Sequence, residues 1–143
     1  MKRTATISRK TKETEIAVTV NLDGTGAASV STGIGFLDHM LGALAKHSGI
    51  DISLACKGDL HIDDHHTAED CALALGQAID QALGDRRGIA RYGFAYAPLD
   101  ESLARAVLDF SGRPCSVANL MLTREKVGEL AVENVPHVFR SLA

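Results

Sequence analysis

Tryptophan is absent from this 143-residue chain and aromatic residues make up only 4% of it, so any core must be built from Ala, Val, Leu and Ile. Cysteine is scarce too. Cys56, Cys71 and Cys115 are widely spaced and form no CxxC pair, which argues against a structural zinc finger and for reduced, partly buried thiols. No stretch approaches the ~20 apolar residues of a membrane-spanning helix. The basic start, "MKRTATISRKTKETEI", has no apolar signal core behind it, so a cytoplasmic location is expected. Nor is there an excess of one charge. The net charge of −3, with both signs interspersed, points to neither nucleic acid nor an anionic membrane as partner.

What remains is an ordinary globular composition, 45% hydrophobic and 23% charged, at a length suited to one domain. Residues 3–9 and 14–22 alternate as strands do, with Ile16, Val18 and Val20 on one face. "DGTG" (23–26) reads as a hairpin turn and "AASVST" as the returning strand. From Phe36 the period becomes helical through Leu37, Met40, Leu41 and Leu44, with Gly49 as the cap. A strand follows over 50–60. A longer helix is expected from about Asp64 to Leu83, striped by Ala68, Cys71, Leu75, Ile79 and Leu83 and stopped by Gly84. Asp63 and Asp64 suit its N-terminus. "RYGFAYAPLD", "SLARAVLDF" and "SVANLML" read as strands, "TREKVGEL" as a connection, and "ENVPHVFRSLA" as a final helix.

The second half resembles the first. "EIAVTVNLDGTGAASV" lies on "SLARAVLDFSGRPCSV" at an offset of 87, and "FLDHMLGALA" on "NVPHVFRSLA" at an offset of 98, which pairs His39 with His137. The division expected is a first half, 1–88, and a second half, 89–143. Ala143 is the counterpart of Ala45, so the second copy is expected to be incomplete. It would lack a strand, a long helix and a second histidine cluster, and would expose apolar surface and an unpaired strand edge.

The chemistry concentrates in "DLHIDDHHTAED", residues 59–70, with three of the six histidines. On a helix Glu69 lies near both His66 and His65, three and four residues away. The two imidazoles diverge by about 100° around the axis. They therefore suit two separate ions, one each, and imidazole nitrogen with carboxylate oxygen suits Mn, Fe or Zn. Asp63, Asp64 and Asp70 are expected to accept from the imidazoles and fix their tautomers. His61 is close by in sequence. His39 and His47 share one side of the first helix, about 80° apart. The order HHxxE differs from the HExxH of zinc hydrolases, where the glutamate stands between the histidines.

Together "RKTKETEI", "GIGFLDHML", "GDLHIDDHHTAEDCALALGQA", "RYG", "DFSGRP" and "VPHVFRSLA" resemble the imidazoleglycerol-phosphate dehydratase family over essentially the whole chain. The resemblance implies an α/β fold, an α+β two-layer sandwich duplicated from a half of four strands and two helices, like ribosomal protein S5 domain 2. It implies dehydration of D-erythro-imidazole-glycerol phosphate to imidazole acetol phosphate in histidine biosynthesis, with two Mn2+ ions per site. It implies a homo-oligomer, a 24-mer built from trimers, with sites between subunits.

By motif position His39, His65, His66, Glu69 and His137 match metal ligands. The segments holding His39, Met40, Leu41, Lys46 and His47, and His65, His66 and Glu69, match substrate contacts. Glu13 matches a glutamate that reaches the substrate, and Arg91 and Arg113 match arginines on its phosphate side. Glu13, His47 and Glu69 are the catalytic candidates, since a base must take a carbon-bound proton and an acid must protonate the departing hydroxyl. The family's second HHxxE motif is missing, so the alternative is a truncated, non-catalytic metal-binding or assembly fragment.

Overall fold

Alternation over Thr14–Asn21 makes a strand, β2, whose Ile16, Val18 and Val20 are almost fully buried while Glu15 and Ala17 stay exposed. In the computed structural model, which describes residues 2–143, β1 (Thr4–Lys10) pairs antiparallel with β2. β3 (Ala28–Ser31) leads into α1 (Gly35–Ser48), then come β4 (Asp51–Gly58) and α2 (His65–Leu83). The four strands form one sheet in the order β1-β2-β4-β3.

The expected hairpin after β2 does not form. β3 pairs with β4, in parallel, and α1 is the crossover between them. The Asp51 carboxylate explains the departure. Its Oδ1 accepts from Thr25 N (2.8 Å) and Ala27 N (2.9 Å), so "DGTG" is drawn to the start of β4 rather than closed on β2. Those donors hold the Asp51 pKa below its ordinary value.

α1 ends where expected. Gly49 takes the left-handed conformation at φ +76° and donates its N–H to the Ala45 carbonyl. α1 and α2 cover one face of the sheet, burying Leu37, Leu41 and Ala45 from the first helix and Ala68, Cys71 and Leu75 from the second against Val18, Ile52 and Leu54. At full burial each such Leu or Ile contributes about 2 kcal/mol. Cys71 lies in this core, Cys56 packs half-buried against it, and Cys115 is exposed, unlike the partly buried thiol expected.

The chain divides into two compact units. One runs to Gly84 and resumes at Ser116–Ala143; the other is Asp85–Cys115. The second unit is a hairpin of β5 (Tyr92–Leu99) and β6 (Ser102–Asp109). Its register puts Tyr92, Phe94, Tyr96, Leu103 and Val107 on one face, all exposed. The expected strand "SVANLML" (116–122) is irregular, because it finds no partner strand among the described residues. Beyond it, β7 (Lys126–Val127) and β8 (Leu130–Ala131) form a small hairpin that leads to α3 (Asn134–Leu142), which packs on α2. No helix of the described residues is long and apolar enough to cross a membrane.

Candidate metal centre

α2 begins at His65, so both adjacent histidines stand on its first turn. Their rings are 5.9 Å apart between centroids and inclined by 67°, the divergence that helical geometry predicts. Each is held through Nδ1 by an acceptor from elsewhere. His66 Nδ1 lies 3.0 Å from Asp59 Oδ2, at the end of β4. His65 Nδ1 lies 2.8 Å from Asn134 Oδ1, at the start of α3. With Nδ1 donating in both rings, each Nε2 keeps a lone pair, the form in which imidazole binds a metal. The Asp59 carboxylate also raises the His66 pKa above its ordinary value, with smaller contributions from the charges of Glu13 and Asp63.

Neither acceptor is among the aspartates expected for that task. Asp63 closes a local turn just before the helix, taking the N–H of His65 at 2.8 Å. Asp64 accepts from Ala131 N at 2.7 Å, tying β8 to the start of α2. Asp70 faces the β1–β2 hairpin, where it bonds the Thr14 hydroxyl and pairs with Arg9. Asp63 is thus committed to the local backbone, Asp64 to β8, and Asp70, on the buried helix face, to the sheet. Asp59 lay within the histidine-rich stretch and Asn134 lies three residues before His137, on the same face of α3. Only the i, i+3 spacing could have flagged the second.

Glu69 reaches one histidine of the two expected: its Oε2 is 3.3 Å from His65 Nε2. His137 stacks edge-on against His65, with centroids 5.0 Å apart. His39, Met40, Lys46 and His47 are exposed along α1, whereas Leu41 is buried in the core. The start of that helix is fixed by Asp38, whose Oδ1 accepts from both the N–H (2.8 Å) and the hydroxyl (2.6 Å) of Thr32. Glu13 is exposed on the β1–β2 turn, where the Thr11 hydroxyl oxygen accepts its N–H. That turn is anchored to α2 through Thr14 and Asp70. His61 is exposed.

In the other unit, Arg91 grips Asp109 through Nε (2.7 Å) and Nη2 (3.1 Å) and lies over the Tyr92 ring, which leaves Nη1 outside the clamp. Arg113 is exposed on the turn that follows Gly112, which has φ +79°.

The donors fit a divalent ion in kind: two oriented imidazole Nε2 atoms, a third imidazole and a carboxylate. Among the described residues no three of His, Cys, Asp or Glu converge on one point, so any site here is an open one that needs further ligands.

Comparison with known proteins supplies the context. The family model described as imidazoleglycerol-phosphate dehydratase matches residues 32–143. The chain is 63% identical over 141 residues to an imidazoleglycerol-phosphate dehydratase of Phytophthora nicotianae, covering 99% of this chain but only 31% of that protein. It is 58% identical over 146 residues to the one of Phaffia rhodozyma, covering 99% and 71%. Among solved structures, imidazoleglycerol-phosphate dehydratase from Staphylococcus aureus N315 matches with a TM-score of 0.84 at 35% identity, over 97% of this chain and 76% of that one. The Pyrococcus furiosus protein in complex with (S)-C348 matches with a TM-score of 0.74 at 28% identity, over 95% and 72%.

Proposed function

Because the chain belongs to the imidazoleglycerol-phosphate dehydratase family, we propose that it dehydrates D-erythro-imidazole-glycerol phosphate to imidazole acetol phosphate in histidine biosynthesis, using manganese. The observation that carries this reading is the pair His65 and His66, each held through Nδ1, with Glu69 Oε2 3.3 Å from His65 Nε2. The metal ligands proposed are His39, His65, His66, Glu69 and His137. The chemistry an ion supplies here is Lewis-acid withdrawal of charge from the substrate's imidazole ring, which eases loss of a proton from the adjoining carbon.

The residues do the rest. Glu13, whose charge already acts on His66, is the proposed proton-transfer group on one side of the substrate. His47, at the end of α1, is the candidate on the other, and Glu69, beside His65, is the third candidate. Arg91 and Arg113 are proposed to take the phosphate in an assembly of several copies, with the Arg91 Nη1 edge turned to a phosphate oxygen. Assembly would also bring the ligands that the open donor set needs.

That openness favours a second reading, in which this chain binds metal but does not turn over by itself. Assaying dehydration of imidazole glycerol phosphate with and without manganese, alongside metal content, separates the two. Manganese-dependent product is expected. Metal uptake without product supports the second reading, and absence of both overturns the two together.

A further inference from the structure

The buried carboxamide of Asn134 has no explanation in packing alone. The residue is 4% exposed at the first position of α3, where an apolar side chain would serve the core as well. Its Oδ1 instead meets His65 Nδ1 at 2.8 Å. One helical turn later, on the same face, His137 sets its ring against the same imidazole. At its far end α3 is seated just as closely. A Cβ on Gly76 of α2 would lie 2.5 Å from the Leu142 carbonyl oxygen, so only glycine admits that approach. α3 thus runs alongside α2 in a fixed register, and the register delivers the carboxamide to His65.

We infer that Asn134 is a positioning residue: it fixes His65 as the Nδ1–H tautomer and aims its Nε2 at the metal side, beside Glu69. A neutral acceptor suits this role because it orients the ring without adding charge, whereas the carboxylate of Asp59 orients His66 and raises its pKa. The inference rests on the proposal that His65 is a ligand, and its test separates the two.

The first readout is 15N NMR of the imidazole nitrogens in the metal-free protein. His65 is expected as the Nδ1–H form. Finding it as the Nε2–H form in the unaltered chain overturns the inference before any variant is made. Asn134→Leu keeps the approximate shape but removes the acceptor. It is expected to let both tautomers interconvert and to weaken manganese binding, measured by calorimetry, by about 10–100-fold. Asn134→Asp keeps an acceptor and is expected to retain the single tautomer and most of the affinity, which a purely structural role would not distinguish. His65→Ala run in parallel reports on the ligand proposal. If it binds manganese as tightly as the unaltered chain, that proposal fails, while the tautomer still judges Asn134. If His65→Ala loses the metal but Asn134→Leu keeps both tautomer and affinity, the positioning role is overturned.

Discussion

Asp59 Oδ2 stands 3.0 Å from His66 Nδ1 across the turn between β4 and α2, and the other oxygen of that carboxylate is buried without a hydrogen-bond partner. The side chain is therefore spent on one contact. Replacing it with Ala should free the His66 ring to rotate and to change tautomer. We expect Asp59→Ala to lower manganese affinity by about 10–100-fold. Asp59→Asn, which keeps an acceptor, should lose much less. Calorimetric titration of both variants checks this, and equal affinity in Asp59→Ala and the unaltered chain would remove Asp59 from the site.

How much of this was legible in the sequence divides along the range of the interactions. The helices could be read because their determinants are local: the apolar stripe Ala68, Cys71, Leu75 and the glycines at 49 and 84 lie within the segments they shape. The histidine pair and its divergence were legible for the same reason. β3 was misplaced because the turn signal over 23–26 is genuine, but its partner is Asp51, more than twenty residues away. The strand expected at 116–122 failed because strand pattern specifies alternation and not a neighbour to bond. The true acceptors, Asp59 and Asn134, come from the end of a strand and from a helix 69 residues beyond His65. Which histidine each one holds is decided by that packing and not by its neighbours in sequence.

The close approach of β4 to α2 gives a prediction about stability. A Cβ on Gly58 would fall 2.0 Å from Thr67 Oγ1, and Thr67 is fully buried, so neither side can give way cheaply. Gly58→Ala should destabilise the fold by about 1–3 kcal/mol, the usual cost of overpacking. Since Thr67 directly follows His66, metal affinity should fall as well. Urea denaturation measures the first effect. Gly58→Ala combined with Thr67→Ala, which removes the obstructing hydroxyl, should recover part of the loss.

Asp51 gives a pH dependence whose sign can be worked out. Its pKa in the folded chain is depressed, chiefly by the N–H groups of Thr25 and Ala27. A depressed carboxylate stabilises the fold at pH above its unfolded value, near 4, and that contribution is lost as pH falls through the folded value. The stability gap between the unaltered chain and Asp51→Ala should therefore be full at neutral pH and shrink below about pH 4. Chemical denaturation at a series of pH values tests it. A gap that stays constant into acid would mean that the contribution of Asp51 is not electrostatic.

Glu13, the proposed proton-transfer group, sits on a turn that Asp70 ties to α2 through Thr14. Asp70 is buried on α2, bonds the Thr14 hydroxyl and pairs with Arg9, so it clasps both strands of the β1–β2 hairpin from below. Arg9 keeps 29% of its side-chain exposure, so part of the pairing is screened by solvent and the cost of breaking it falls below that of a fully buried pair. We expect Asp70→Ala to destabilise the chain by about 2 kcal/mol. The more telling effect is local. With the clasp gone, the turn at residues 11–14 loses its tie to α2, and the charge of Glu13 no longer sits reliably near His66. Manganese affinity should change less than the rate, because the Asp70 carboxylate bonds Thr14 and Arg9 and no proposed ligand. The dehydration rate should drop by at least as much as Glu13→Gln lowers it, and the double variant should be no slower than the worse of the two singles. Independent, multiplicative losses would show that Asp70 and Glu13 act separately.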